Sequence, residues 1–169
     1  MNTHTYQSKS HISPSDLTKT GIITALYVTV TFALSVISFG AIQLRLSEMF
    51  NYLALFHKRY LIAITFGVVI VNFVSPMWFL DVPIGGTATF LVLILSRYIT
   101  KNIKNLKMKL AITASLFSLS MFTVAGQLYF VFGIPFWITY ITAGFGELLS
   151  MTVGGIVLYF LNQKLDLTK

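Results

Sequence analysis

Residues 38–60 read SFGAIQLRLSEMFNYLALFHKRY, and the way this stretch is threaded decides the fold. Its apolar part covers only 49–56 before His57, Lys58 and Arg59 follow. A helix over about 46–56, rising about 1.5 Å per residue, covers roughly 17 Å, short of a hydrocarbon core of ~30 Å. The segment 40–46 just ahead of it is then drawn into the outer leaflet, where irregular backbone survives only if protein covers it or water reaches it.

Outward from this stretch lie five longer apolar runs. They predict helices over about 17–37, 60–75, 82–100, 110–131 and 135–162, because a backbone in lipid must satisfy its own hydrogen bonds. Six crossings from a cytoplasmic amino terminus place Lys58, Arg59, Arg97 and the KNIKNLKMK connection on the cytoplasmic side, with the carboxyl terminus. Eleven of the twelve lysines and arginines then lie inside, and only Arg45 does not. Such a bias sets orientation. Five crossings would strand one of the basic clusters outside.

The composition agrees. The chain is 56% hydrophobic and 10% charged, where a soluble domain carries about 25% charged residues. Its mean hydropathy is +0.79. The expected fold is all-α, with residues 1–16 a polar cytoplasmic tail lacking a signal-peptide core and 17–169 a single membrane domain of six transmembrane helices. The net charge of +7 sits where an inner membrane surface would meet it, so nucleic acid is not the expected partner.

With the cytoplasmic charges set aside, Arg45, Glu48, Asp81 and Glu147 remain at membrane depth, where ionisable groups face a cavity or a partner. Arg45 and Glu48 are three residues apart and can pair across one turn, either to pin the loop or to contact a ligand directly. Glu147 lies near mid-bilayer beside Ala143, Gly144 and Ser150, which leave space around its carboxylate; Tyr140 is on the same face. It reads as a ligand acceptor or as a link to a neighbouring helix. Asp81 opens a helix, where it suits the macrodipole or a ligand. Asn72 and Gln127 are amides in apolar helices, each a pocket group or a helix–helix bond. Trp78 and Trp137 fall near the outer interface, where anchoring and ring stacking both suit tryptophan. Gly21, Ala25, Thr29 and Ala33 form a small-residue stripe along the first helix, where another helix can approach. Gly146, Ser150 and Gly154 form a similar stripe in the last, expected to serve internal packing.

Several chemistries are missing. There is no cysteine, no GxxxxGK[ST] phosphate loop, no HExxH and no GxSxG elbow. The three histidines all fall outside the predicted spans. No metal, cofactor or enzymatic activity is expected. The residues suit a carrier of a small molecule.

The run GAIQLRLSEMFNYLALF followed later by FLDVPIGGTATFLVLIL resembles the queuosine-precursor transporter family (QueT). Gly40, Ile42, Gln43, Arg45, Ser47 and Glu48 match one family motif. Asp81, Gly85, Ala88 and Thr89 match a second, and Gly146–Glu147 resembles the family's G-E pair in the last helix. Met49–Phe50 replaces the usual Ala-Leu, and Phe56-His57 stands where proline is common. The resemblance implies a six-helix, multi-pass S component of an energy-coupling factor transporter in a bacterial cell membrane. Such a subunit captures a 7-deazaguanine in an outward cavity and associates with a transmembrane coupling subunit and two ATPases. The resemblance also implies that the stripe Gly21, Ala25, Thr29 and Ala33 meets the coupling subunit. The site expected for substrate comprises Arg45, Glu48, Asn72, Asp81, Gln127, Trp137, Tyr140 and Glu147. A stand-alone facilitator or ion-coupled transporter of a small polar solute is the competing expectation.

Overall fold

The computed structural model describes residues 14–34, 45–165 and 167. Among them the chain is all-helical. Six α-helices run α1 (Pro14–Ala33), α2 (Arg59–Asn72), α3 (Trp78–Thr100), α4 (Leu106–Ser120), α5 (Phe122–Phe132) and α6 (Phe136–Lys164), with a 3₁₀ helix, Leu46–Leu55, between α1 and α2. Helix α1 begins three residues ahead of its expected start, with Pro14 at the position where a missing N–H costs nothing. The end of the predicted first helix and most of the 40–46 segment, including Gly40, Ile42 and Gln43, lie outside the described residues.

Among the described residues, three apolar stretches are long enough to cross a membrane: Trp78–Thr100, Leu106–Phe132 and Phe136–Lys164. Their outer faces expose side chains such as Leu91, Leu95, Phe130, Ile141 and Phe160. Exposed apolar surface on this scale needs lipid around it. The span expected over 110–131 is two helices, broken at Met121, where ψ of −8° departs from helical values.

The 3₁₀ helix is the hub. It packs against α1, α2, α3, α4 and α6. Ten residues at about 2.0 Å per residue span about 20 Å, so the tighter winding still leaves it short of the hydrocarbon thickness. Three residues per turn also stack side chains in straight rows. Arg45, Glu48 and Asn51 share one row, and Met49 and Tyr52 share the next.

The second row faces α6. A Cβ on Gly154 would collide with Met49 and lie 2.8 Å from its Cα; one on Gly155 would lie 3.3 Å from the Tyr52 hydroxyl. The small-residue stripe of α6 therefore serves internal packing, as expected. Gly67 plays the same part between α2 and α1, since a Cβ there would meet the Tyr27 ring at 2.9 Å. The stripe on α1 is different. Gly21, Ala25, Thr29 and Ala33 are all exposed, and a Cβ on Gly21 would meet nothing within 4 Å.

Candidate functional site

A chamber of about 690 Å³ opens among the 3₁₀ helix, the end of α2, the 74–77 turn, the start of α3, and the α4–α5 break. Its walls carry Arg45, Glu48, Asn72, Asp81 and Gln127, together with Phe32, Phe117, Ser75, Thr89, Ser120 and Thr123. Five of the eight residues expected at a binding site are thus brought together.

One wall is built around Glu48, which is buried. The Tyr27 hydroxyl donates to its Oε1 at 2.7 Å, and Asn51 Nδ2 donates to Oε2. The Arg45 guanidinium lies 3.6 Å from Oε1. A carboxylate removed from bulk water keeps its charge only when donors replace the solvent. Thr31 and Ser47 hydroxyls pair just beside it. Tyr27 was not among the residues expected here, because a tyrosine in an apolar helix reads as core until its hydroxyl's partner is known.

The opposite wall is tied by Asp81. Its Oδ2 accepts from the Ser75 hydroxyl, its Oδ1 from Gln127 Nε2 at 3.1 Å, and its backbone carbonyl from Asn72 Nδ2 at 2.8 Å. Asp81 lies in the first turn of α3, but its carboxylate does not cap the helix N–H groups. It joins the 72–77 turn to α5 instead. Asn72 and Gln127 are therefore both helix–helix bonds and chamber walls. Gly85 makes this geometry possible, since a Cβ there would lie 2.5 Å from the Asn72 amide nitrogen. Asp81, Gly85, Ala88 and Thr89 all reach the chamber because spacings of four, seven and eight residues share one helical face.

The other three residues lie elsewhere. Glu147 is buried, with Oε1 lacking a hydrogen-bond partner among the described residues, and it is within electrostatic reach of Glu48 and Arg45. It is not among the residues that line the chamber. Trp137 is 70% exposed and packs on Phe136 and Tyr140. The Tyr140 hydroxyl donates to Leu119 O at 3.3 Å. Both rings belong to an aromatic cluster at the start of α6, away from the chamber. Trp78 is likewise exposed, stacked on Phe73 at 6.0 Å. No group of three or more potential metal ligands occurs among the described residues.

Apolar helices turned outward around a chamber that carries Arg45, Glu48 and Asp81 define an integral membrane protein with an internal cavity. Comparison with known proteins makes the class specific. The chain belongs to the QueT transporter family, whose model matches residues 17–164. It is 39% identical over 163 residues to the "Queuosine precursor transporter QueT" of Lactococcus lactis subsp. cremoris (strain MG1363), covering 91% of this chain and 96% of that one. No solved structure matches the chain. Family membership makes it a transporter rather than an enzyme.

Proposed function

We propose that the chain is the substrate-binding membrane subunit of an energy-coupling factor transporter, importing a queuosine precursor of the 7-deazaguanine class on ATP hydrolysed by partner subunits. The observation that carries this reading is the chamber. Its volume of about 690 Å³ falls in the range of small-molecule sites, roughly 300–1,000 Å³. Its polar groups also suit the ligand: a deazaguanine edge offers adjacent N–H donors, which a carboxylate accepts as a pair. Glu48 and Asp81 are the wall carboxylates, and Phe32 and Phe117 supply aromatic faces for the flat ring. Arg45, Asn72 and Gln127 complete the polar set. Glu147, within electrostatic reach of Arg45 and Glu48, is a further acceptor, its Oε1 available to a ligand that shifts that pair. Trp137 and Tyr140 are left out of the ligand set.

In this reading the chain crosses a bacterial cell membrane six times, with α4 and α5 as one crossing and both termini cytoplasmic. The chamber then opens outward. Gly21, Ala25, Thr29 and Ala33 receive the transmembrane coupling subunit, to which the two ATPases attach. Their exposure supports this, since a stripe used for internal packing would be covered.

Ala25→Trp with Ala33→Trp tests the assignment. Because both positions are exposed, the variant is expected to fold, bind 7-deazaguanine near wild-type affinity, lose co-purification with the ATPase module and lose ATP-dependent uptake. Normal assembly in the double variant would overturn it, as would uptake by the wild-type chain alone in liposomes.

A further inference from the structure

We propose that a second groove, on the lipid-facing side between α4 and α6, holds an acyl chain of an anionic phospholipid whose headgroup rests on Lys107 and Lys164. The groove has a volume of about 430 Å³, and its apolar walls include Leu110 and Ala114 on α4 and Ile156 and Phe160 on α6. Small residues keep it deep. Ala111 leaves it open on one side, and on the other Gly155 lies against the Tyr52 ring that forms the floor.

Apart from Lys107 at one end and the Tyr159 beside it, the polar side chains along the groove are already used. The Tyr52 hydroxyl donates to Met151 O at 2.9 Å, and the Thr152 hydroxyl donates to Leu148 O at 2.7 Å. A polar solute or an extended peptide would leave its own hydrogen-bonding groups unmet there, which is costly away from water. A hydrocarbon chain has none to satisfy.

The dimensions also favour a chain over a helix. From Lys107 to Ala114 the wall runs about 11 Å, within the ~15 Å of one leaflet. Over that length the groove's volume of about 430 Å³ gives a cross-section of about 40 Å², half of what a helix ~10 Å across fills.

Charge complementarity then selects the headgroup. Lys107 lines the basic end of the groove, its Nζ 5.2 Å from the Tyr159 ring centroid, and no carboxylate pairs with it among the described residues. Lys164 lies four residues beyond Phe160, on the same face of α6. Lys107 thus lines the end of an apolar slot, and Lys164 follows one turn past the slot's Phe160. Each lysine near an anionic lipid surface strengthens association about fivefold. The inference rests on the proposed function in one respect, that this end is cytoplasmic and meets the inner leaflet.

Native mass spectrometry of the full chain, purified and titrated with phosphatidylglycerol or phosphatidylcholine, tests it. Wild type is expected to retain phosphatidylglycerol in preference to phosphatidylcholine. Lys107→Gln with Lys164→Gln should lower that preference about 25-fold, from two lysines at about fivefold each. Ala111→Trp, at an exposed wall position, should remove the bound lipid whatever its headgroup. Equal retention of the two lipids by wild type would overturn the proposal, as would an undiminished preference in the lysine variant. Lipid retention by Ala111→Trp together with loss of the ATPase module would also overturn it, assigning the groove to a partner. A chain that keeps the lipid but binds no 7-deazaguanine would uphold the lipid site and overturn only the proposed function.

Discussion

The Arg45 guanidinium lies 3.6 Å from the Glu48 carboxylate, one turn of 3₁₀ helix away, and Glu48 is held from its other sides by Tyr27 and Asn51. Removing Arg45 leaves a buried carboxylate short of a cation; removing Glu48 leaves a cation and two donors short of an acceptor. The double variant Arg45→Ala with Glu48→Ala should therefore be less damaged than the sum of the singles, with a coupling of about 0.5–3 kcal/mol. A thermal-stability cycle in detergent measures this, and strict additivity would mean that the pair contributes nothing.

Two glycines should respond oppositely to the same substitution. Gly154→Ala pushes a methyl group against the backbone of the 3₁₀ helix at Met49, and overpacking of this kind costs about 1–3 kcal/mol. Gly21→Ala meets nothing within 4 Å in an exposed helical position, and it should stabilise the chain by about 0.4–1 kcal/mol. Melting temperatures of the two variants check the contrast; equal shifts would count against the packing described for α6.

Gln127→Leu keeps the apolar bulk of the side chain but removes the donor to Asp81. Hydrogen bonds to a charged group contribute about 1.5–3 kcal/mol. The variant should lose stability of that order, and Asp81→Asn in the same background should recover part of it by removing the charge that has lost one of its donors. Thermal denaturation of the single and double variants measures both effects.

These two contacts show where sequence reading stops. Arg45 and Glu48 could be paired from their spacing, because a turn of helix joins them. Asp81 and Gln127 are 46 residues apart, and only the packing of α3 against α5 brings them together. The helices themselves were legible from apolar runs. The break at Met121 was not, because Ser120, Met121 and Phe122 carry neither glycine nor proline to mark it. The 3₁₀ winding of 46–55 was equally hidden, since a short apolar run fits either helix. Tyr140 shares the face of Glu147 and Trp137 offers a ring for stacking, but helix α6 is apolar on most sides, and such a pattern does not tell which face turns inward. Glu147, by contrast, sits among small residues, and it is buried together with Ala143, Gly144, Gly146 and Ser150.

His57 supplies a pH dependence. Partial burial, and then the neighbouring Arg59 charge, hold its pKa below the ordinary 6.5, and its Nδ1 accepts the Arg59 backbone N–H at 3.2 Å. The folded chain therefore takes up this proton less readily than the unfolded chain. Stability should be full above the unfolded value of about 6.5 and fall as pH drops through it, flattening below the folded value. His57→Gln should flatten this part of the melting-temperature profile between roughly pH 7 and pH 5. An unchanged slope would assign the dependence to other groups.

On the proposed function, the chamber between Glu48 and Asp81 holds a 7-deazaguanine. Mass spectrometry of small molecules released from the chain, purified from cells grown with such a precursor, tests it most directly. The prediction is one 7-deazaguanine per chain, lost in a Glu48→Ala, Asp81→Ala double variant that still melts cooperatively. A chain that releases no such molecule, or releases it equally from the double variant, would contradict the claim.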